Sequence, residues 1–140
     1  MKLTHTLAVA AALVTAAHAE PLTFDFKDPK GVNNVSFRLD APLESTNGTA
    51  NGVSGTVSID PANPESATGK IVVTTDSLTV PNPLMREHML GEQWLNAKAH
   101  PEITFEIKRI HDIEKKGEKG EAKVTGVFTL NGVSKEITVE

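Results

Sequence analysis

The stretch LTVPNPLMREHMLGEQWLNAKAHPEITFEI, residues 78–107, decides the fold, because almost everything on either side of it reads as β-strand. Leu84, Met85, His88 and Met89 fall at helical spacing, and Leu90 and Trp94 continue the apolar face one turn on. Pro83 stands where a first helical turn tolerates proline, and Asn82 before it is the predicted N-cap. Gly91 ends that helix, and a second short turn is expected over Glu92 to Ala97. His100-Pro101 then forces an extended start, since the residue before a proline is pushed out of the α region. Ile103, Phe105 and Ile107 alternate with Thr104, Glu106 and Lys108, the signature of a strand with one apolar face. A short apolar helix set between strands is expected to plug or flank a barrel.

Working outward, Leu22, Phe24 and Phe26 alternate with Thr23 and Asp25, closed by Asp28-Pro29-Lys30-Gly31. Val35, Phe37 and Leu39 make the next inward row. Residues Ala41 to Gly52 hold two Asn-Gly pairs and several Ser and Thr, and read as a turn-rich connection. Val53, Gly55, Val57 and Ile59 form a third strand, closed by Pro61 to Pro64. Gly69 to Asp76 form a fourth, with Ile71 and Val73 on one face and Val72 on the other. Beyond the central segment comes a strand from Glu102 to about Arg109, followed by a charged hairpin loop over Glu114 to Gly120. Ala122 to Leu130 is a long alternating row, and Ser134 to Val139 returns in phase with it. Between them Asn131-Gly132 is a two-residue hairpin signal, because a type I′ turn wants positive φ at both positions. About seven short, regularly punctuated strands with one helical insertion predict an all-β antiparallel barrel or sandwich.

Lys2, the apolar run Leu7 to Ala17 and the small-x-small site Ala17-His18-Ala19 read as a secretory leader over residues 1–19. That leaves a single domain over residues 20–140. The apolar run is too short for a spanning helix, and no other stretch approaches that length, so a soluble exported chain without a membrane span is expected. The sequence has no Cys, so a hydrophobic core rather than disulfides must hold an exported domain together. Without the leader there are 13 cations against 18 carboxylates, a net charge of −5. That sign argues against nucleic acid or an anionic membrane surface as the main partner.

Three segments carry a family resemblance: Arg86-Glu87-His88-Met89-Leu90, Trp94-Leu95-Asn96, and His100-Pro101-Glu102-Ile103-Thr104-Phe105. Together they resemble the central signature of the YceI-like family, although His88 sits one position closer to Arg86 than in that pattern. The hairpin Val124 to Lys135 and the strand Gly52 to Asp60 are similar to further family motifs, while Val32-Asn33 replace the usual His-Ser pair. The resemblance implies an exported, lipocalin-like antiparallel β-barrel with a short central helix, holding a polyisoprenoid or similar long-chain amphiphile. The family usually continues for several strands beyond the position of Val139, so the expected barrel lacks its C-terminal strands.

Small residues on the inward rows, Gly55 and Gly126, either leave room for a lipid tail or mark bulges and tight coiling. The expected lining comprises Phe37, Val57, Ile71, Val73, Leu84, Met89, Trp94, Phe105 and Phe128. Arg86 and His88 either meet a polar head group or anchor the helix to the barrel. No metal or cofactor is expected: His88, His100 and His111 match no compact ligand motif. Nor is an enzyme, for there is no nucleophile elbow, no paired carboxylates and no phosphate-cradling loop. The expectation is an exported, non-enzymatic periplasmic or secreted carrier. The alternative is a barrel filled by its own side chains that acts through a protein surface. A homodimer is compatible with either.

Overall fold

The computed structural model describes residues 20–140 apart from residues 41, 43, 44 and 118; the expected leader lies outside them. The strands are β1 (Leu22–Asp25), β2 (Val35–Asp40), β3 (Ser45–Ala50), β4 (Val53–Asp60), β5 (Asn63–Thr74) and β6 (Leu78–Thr79), followed by β7 (Glu102–Lys116), β8 (Lys119–Leu130) and β9 (Val133–Val139). One helix, α1 (Pro83–Leu90), separates β6 from β7. All pairings are antiparallel.

The strands form two sheets, one of six strands in the order β1-β4-β5-β7-β8-β9 and one of three in the order β2-β3-β6. Among the described residues no backbone ladder joins the two, so the expected all-β antiparallel fold stands while its closure into one barrel is not seen. Among the described residues no strand pairs with the outer edge of β1 or of β9.

Alternation explains the large sheet. Register places Phe24, Val57, Gly69, Ile107, Gly126 and Ile137 in one row across all six strands, with Ile71, Phe105 and Phe128 beside it on the same face. The opposite face carries Lys70, Glu106 and Glu136 in register, and Lys108 bonds Glu106 at 2.6 Å. The apolar face is only partly covered: Val57 and Ile107 are buried, Ile71, Phe105 and Phe128 half-buried, and Phe24 is exposed.

Two glycines on this face are used by the protein itself. The Phe105 ring lies over Gly126, where a Cβ would sit 2.6 Å from it. Gly55 adopts φ 109° with the Lys70 carbonyl pressed against the space a side chain would need. The tight-coiling reading of these positions therefore describes them, and neither leaves room for a tail.

Several expectations are corrected. Residues 45–50 form β3 rather than a connection, because they pair with β2 along its whole length. Their small polar side chains carry no apolar alternation, so only the long-range pairing reveals the strand. The Pro61-Ala62 turn is tighter than expected: β5 begins at Asn63, opposite Asp60, and runs twelve residues. Strand β7 continues past Arg109 to Lys116, so most of the charged segment is hairpin strand rather than loop. The short turn expected over Glu92 to Ala97, by contrast, is present, with turns at residues 92–95 and 97–99. With β3 and the two-residue β6, which pairs with β3, the count rises from about seven to nine strands among the described residues.

Asn131 and Gly132 do take positive φ, 49° and 74°, at the β8–β9 turn. Among the described residues the most buried side chain is Thr75, 1 % exposed, which donates to the His100 carbonyl at 2.7 Å while its N–H bonds the Pro101 carbonyl at 2.8 Å. This pair of bonds stitches the end of β5 to the start of β7.

Candidate ligand-binding site

The central helix begins as its sequence dictates. Asn82 Oδ1 accepts from the N–H of Leu84 at 2.9 Å and of Met85 at 3.2 Å, and Pro83 occupies the first turn, where its missing N–H costs nothing. At the other end Gly91 N–H bonds the His88 carbonyl at 3.0 Å. Gly91 is extended there, with φ −70°, so the helix ends without a left-handed cap. The loop behind it is held by backbone bonds from Leu95 to Met89, Ala97 to Leu90 and Asn96 to Gly91.

The helix lies over the small sheet. Between them is a cavity of about 400 Å³. Its floor is the face of β2 and β3 that carries Phe37, Leu39 and Thr46; Leu39 and Thr46 are register partners. Its wall is the helical stripe Leu84, Met85, His88 and Met89, and Val80, Asn82 and Trp94 complete it. Thr46 Oγ1 donates to the Met85 sulfur at 3.7 Å, linking floor to wall. Among the described residues the lining is mostly apolar, includes no Asp, Glu, Lys or Arg, and has His88 as its one titratable group. A pocket of this size and character suits an apolar ligand with few polar contacts.

Phe37 also borders a second, more polar groove of about 590 Å³, shared with Val80 and lined by Ser36, Arg38, Asn47 and Thr79. The Phe37 ring packs against Gly48, its cross-strand partner, and a Cβ there would also meet the Thr79 carbonyl at 2.5 Å. A third groove, of about 690 Å³, lies at the far end of the large sheet among Asp112, Glu114, Lys123 and Glu140. The Lys123 ammonium, 2.9 Å away, holds the Asp112 carboxyl below the ordinary carboxylate range, and Asp112 in turn raises Lys123.

The structure brings Phe37, Leu84, His88, Met89 and Trp94 together in the helix-side cavity. Val57, Ile71, Val73, Phe105 and Phe128 lie instead on the six-stranded sheet, outside that lining. Arg86 is turned from the cavity: its Nε donates to the Leu78 carbonyl at 2.9 Å and its Nη2 to the Asp76 carbonyl at 2.6 Å. It thus anchors the helix to β6 and the turn before it. Leu39, Thr46, Val80, Asn82 and Met85 join the lining without having been expected there. Met85 was legible as part of the helical stripe and Leu39 as part of the β2 row; Thr46 and Val80 carry no local signal.

The three histidines noted above sit apart. His88 lines the cavity, the His100 ring packs on Gly132, and His111 Nε2 bonds Thr125 Oγ1 at 2.9 Å. Among the described residues no group of three or more His, Cys, Asp or Glu side chains is placed to hold a metal ion.

An all-β, antiparallel fold with one short helix over an apolar cavity defines a binding-protein architecture. Residues 18–140 match the YceI-like domain, and the chain belongs to that family. A UPF0312 protein of Pseudomonas aeruginosa is 30 % identical over 137 residues, covering 96 % of this chain and 68 % of that one. Among solved structures, BcnA of Burkholderia cenocepacia aligns with a TM-score of 0.59 at 26 % identity, covering 75 % of this chain and 62 % of that chain. The YceI protein of Campylobacter jejuni aligns at 0.57 and 26 % identity, covering 81 % of this chain and 64 % of that chain. The present chain thus spans less than two thirds of either solved protein.

Proposed function

We propose that this chain is a non-enzymatic binding protein that buries the tail of a polyisoprenoid or similar amphiphile, acting in the periplasm or outside the cell after removal of residues 1–19. The observation that carries this reading is the mostly apolar cavity of about 400 Å³ between α1 and the small sheet. Apolar burial alone supplies the affinity: ten methylenes at ~0.8 kcal/mol each amount to about 8 kcal/mol, roughly micromolar binding before ordering costs. Leu84, Met89, Trp94 and Phe37 contact the tail, and His88 is the group available to a polar head. On the same reading the large sheet belongs to a lipocalin-like barrel, whose face bearing Val57, Ile71, Val73, Phe105 and Phe128 receives the remainder of a long tail.

A second reading has one observation in its favour. Phe105 fills the space over Gly126, and backbone fills that at Gly55, as in a sheet packed by its own side chains. That favours an accessory module working through a surface, including self-association. Mass spectrometry of an organic extract from protein purified out of the exported fraction separates the two. A near-equimolar amphiphile supports the carrier; its absence rejects it in favour of the accessory module.

A further inference from the structure

We propose that Trp94, Leu84 and Leu39 form a docking face for the interfacial layer of a lipid bilayer, at the mouth of the helix-side cavity. This rests on the carrier reading and names where its cargo enters. All three side chains line the cavity, yet Trp94 is 61 %, Leu84 59 % and Leu39 57 % exposed, so each belongs to both the pocket and the outer surface. Large apolar side chains gathered at one opening mark an interaction site, whereas scattered ones do not.

Their exposure is built into the fold. The Asn82 cap and the two Arg86 bonds set the helix that carries Leu84, which buries none of its residues. The backbone of Trp94 is tied to the β8–β9 turn by the Asn131 amide at 2.9 Å. Charge suits a bilayer surface as well. Among the described residues that line the cavity none is a carboxylate, and Arg38 and Asp40 on either side of Leu39 neutralise each other at 2.7 Å. Trp combines an apolar body with one N–H donor, which places it well at the headgroup level.

The occupant follows from continuity. A tail leaving a bilayer through this mouth moves from acyl chains to Leu84, Trp94 and then Met89, along described lining residues that include no Asp, Glu, Lys or Arg. A protein seated on the same face would cover that path.

Trp94 is the only Trp, so its fluorescence reports docking directly. With phosphatidylcholine vesicles the full chain should float with the lipid, Trp94 emission should shift to the blue, and brominated acyl chains should quench it. High salt should leave all three effects in place. Leu84→Ser and Leu39→Ser should each lower partitioning about tenfold. Ile113→Ser, which changes an exposed Ile on the distal β7–β8 hairpin, should not alter it. Unshifted emission without flotation overturns the proposal, as does an equal loss with Ile113→Ser, or a dimer dissociated by Leu84→Ser, which would make a second copy the occupant. Extraction of the same protein without vesicles keeps the two readings apart. Amphiphile in the extract with no flotation defeats docking alone, and flotation with an empty extract defeats the carrier alone.

Discussion

The side-chain amide of Asn131 donates to the backbone carbonyl of Trp94 at 2.9 Å, joining the β8–β9 turn to the loop behind the central helix. Asn131 also holds φ 49°, a conformation that Asn tolerates better than most residues. Asn131→Gly should keep the turn and lose only the amide bond, at about 1 kcal/mol. Asn131→Ala should lose both, at about 2 kcal/mol. Urea unfolding should rank them in that order. Trp94 anisotropy should fall equally in the two, because both free its backbone.

The Phe37 ring occupies the space where Gly48 lacks a side chain, and the Thr79 carbonyl closes that space from the other side. Gly48→Ala should therefore displace the ring or open the β2–β3 ladder, costing about 1–3 kcal/mol. Phe37→Leu should leave the ladder intact and weaken binding of an apolar probe in the cavity. Thermal unfolding and probe titration together distinguish the two effects.

Helix α1 depends on its Asn82 cap and the Arg86 anchor more than on packing, since none of its residues is buried. Asn82→Ala should cost about 1 kcal/mol of helix stability. Because the helix borders solvent, the loss should appear as faster hydrogen exchange at Leu84 and Met85 rather than as a large fall in the global midpoint. Arg86→Met should release the helix from the Leu78 and Asp76 carbonyls and lower probe affinity without altering any lining residue. Unchanged affinity in Arg86→Met would show that the wall does not need this anchor.

The Asp112–Lys123 pair sets a pH dependence with two limbs. Lys123 lowers Asp112 in the folded chain, so this contribution is present above the unfolded carboxylate value and is lost as pH falls through the folded one. Asp112 raises Lys123, so that contribution is present below the unfolded ammonium value and is lost as pH rises through the folded one. Both groups are solvent-accessible and the effect is small. Asp112→Asn should flatten the urea-midpoint profile at both ends relative to the parent chain, while leaving the helix-side cavity unaltered.

Much of this protein was legible locally. Alternation of apolar residues announces β4, β7, β8 and β9, because a strand facing a core on one side repeats every two residues. Asn82-Pro83 announces the helix start and Asn131-Gly132 the hairpin, because capping and positive φ are properties of neighbouring residues. The motifs around Arg86, Trp94 and Pro101 likewise pointed to the family to which the chain belongs.

Tertiary structure alone decided the rest. Strand β3 exists because β2 pairs with it and Gly48 admits the Phe37 ring, a relationship that no periodicity within residues 45–50 encodes. Phe105 takes the space over Gly126 because strand pairing makes them diagonal neighbours. Arg86 bonds two backbone carbonyls instead of facing the cavity, since the helix packs back against the segment just before it. The cavity itself lies between that helix and the small sheet, where residues distant in the chain meet. Composition and spacing specify which residues are apolar and which turns are tight. Where the apolar surfaces are left uncovered depends on how the sheets and helix pack, which is a property of the whole chain.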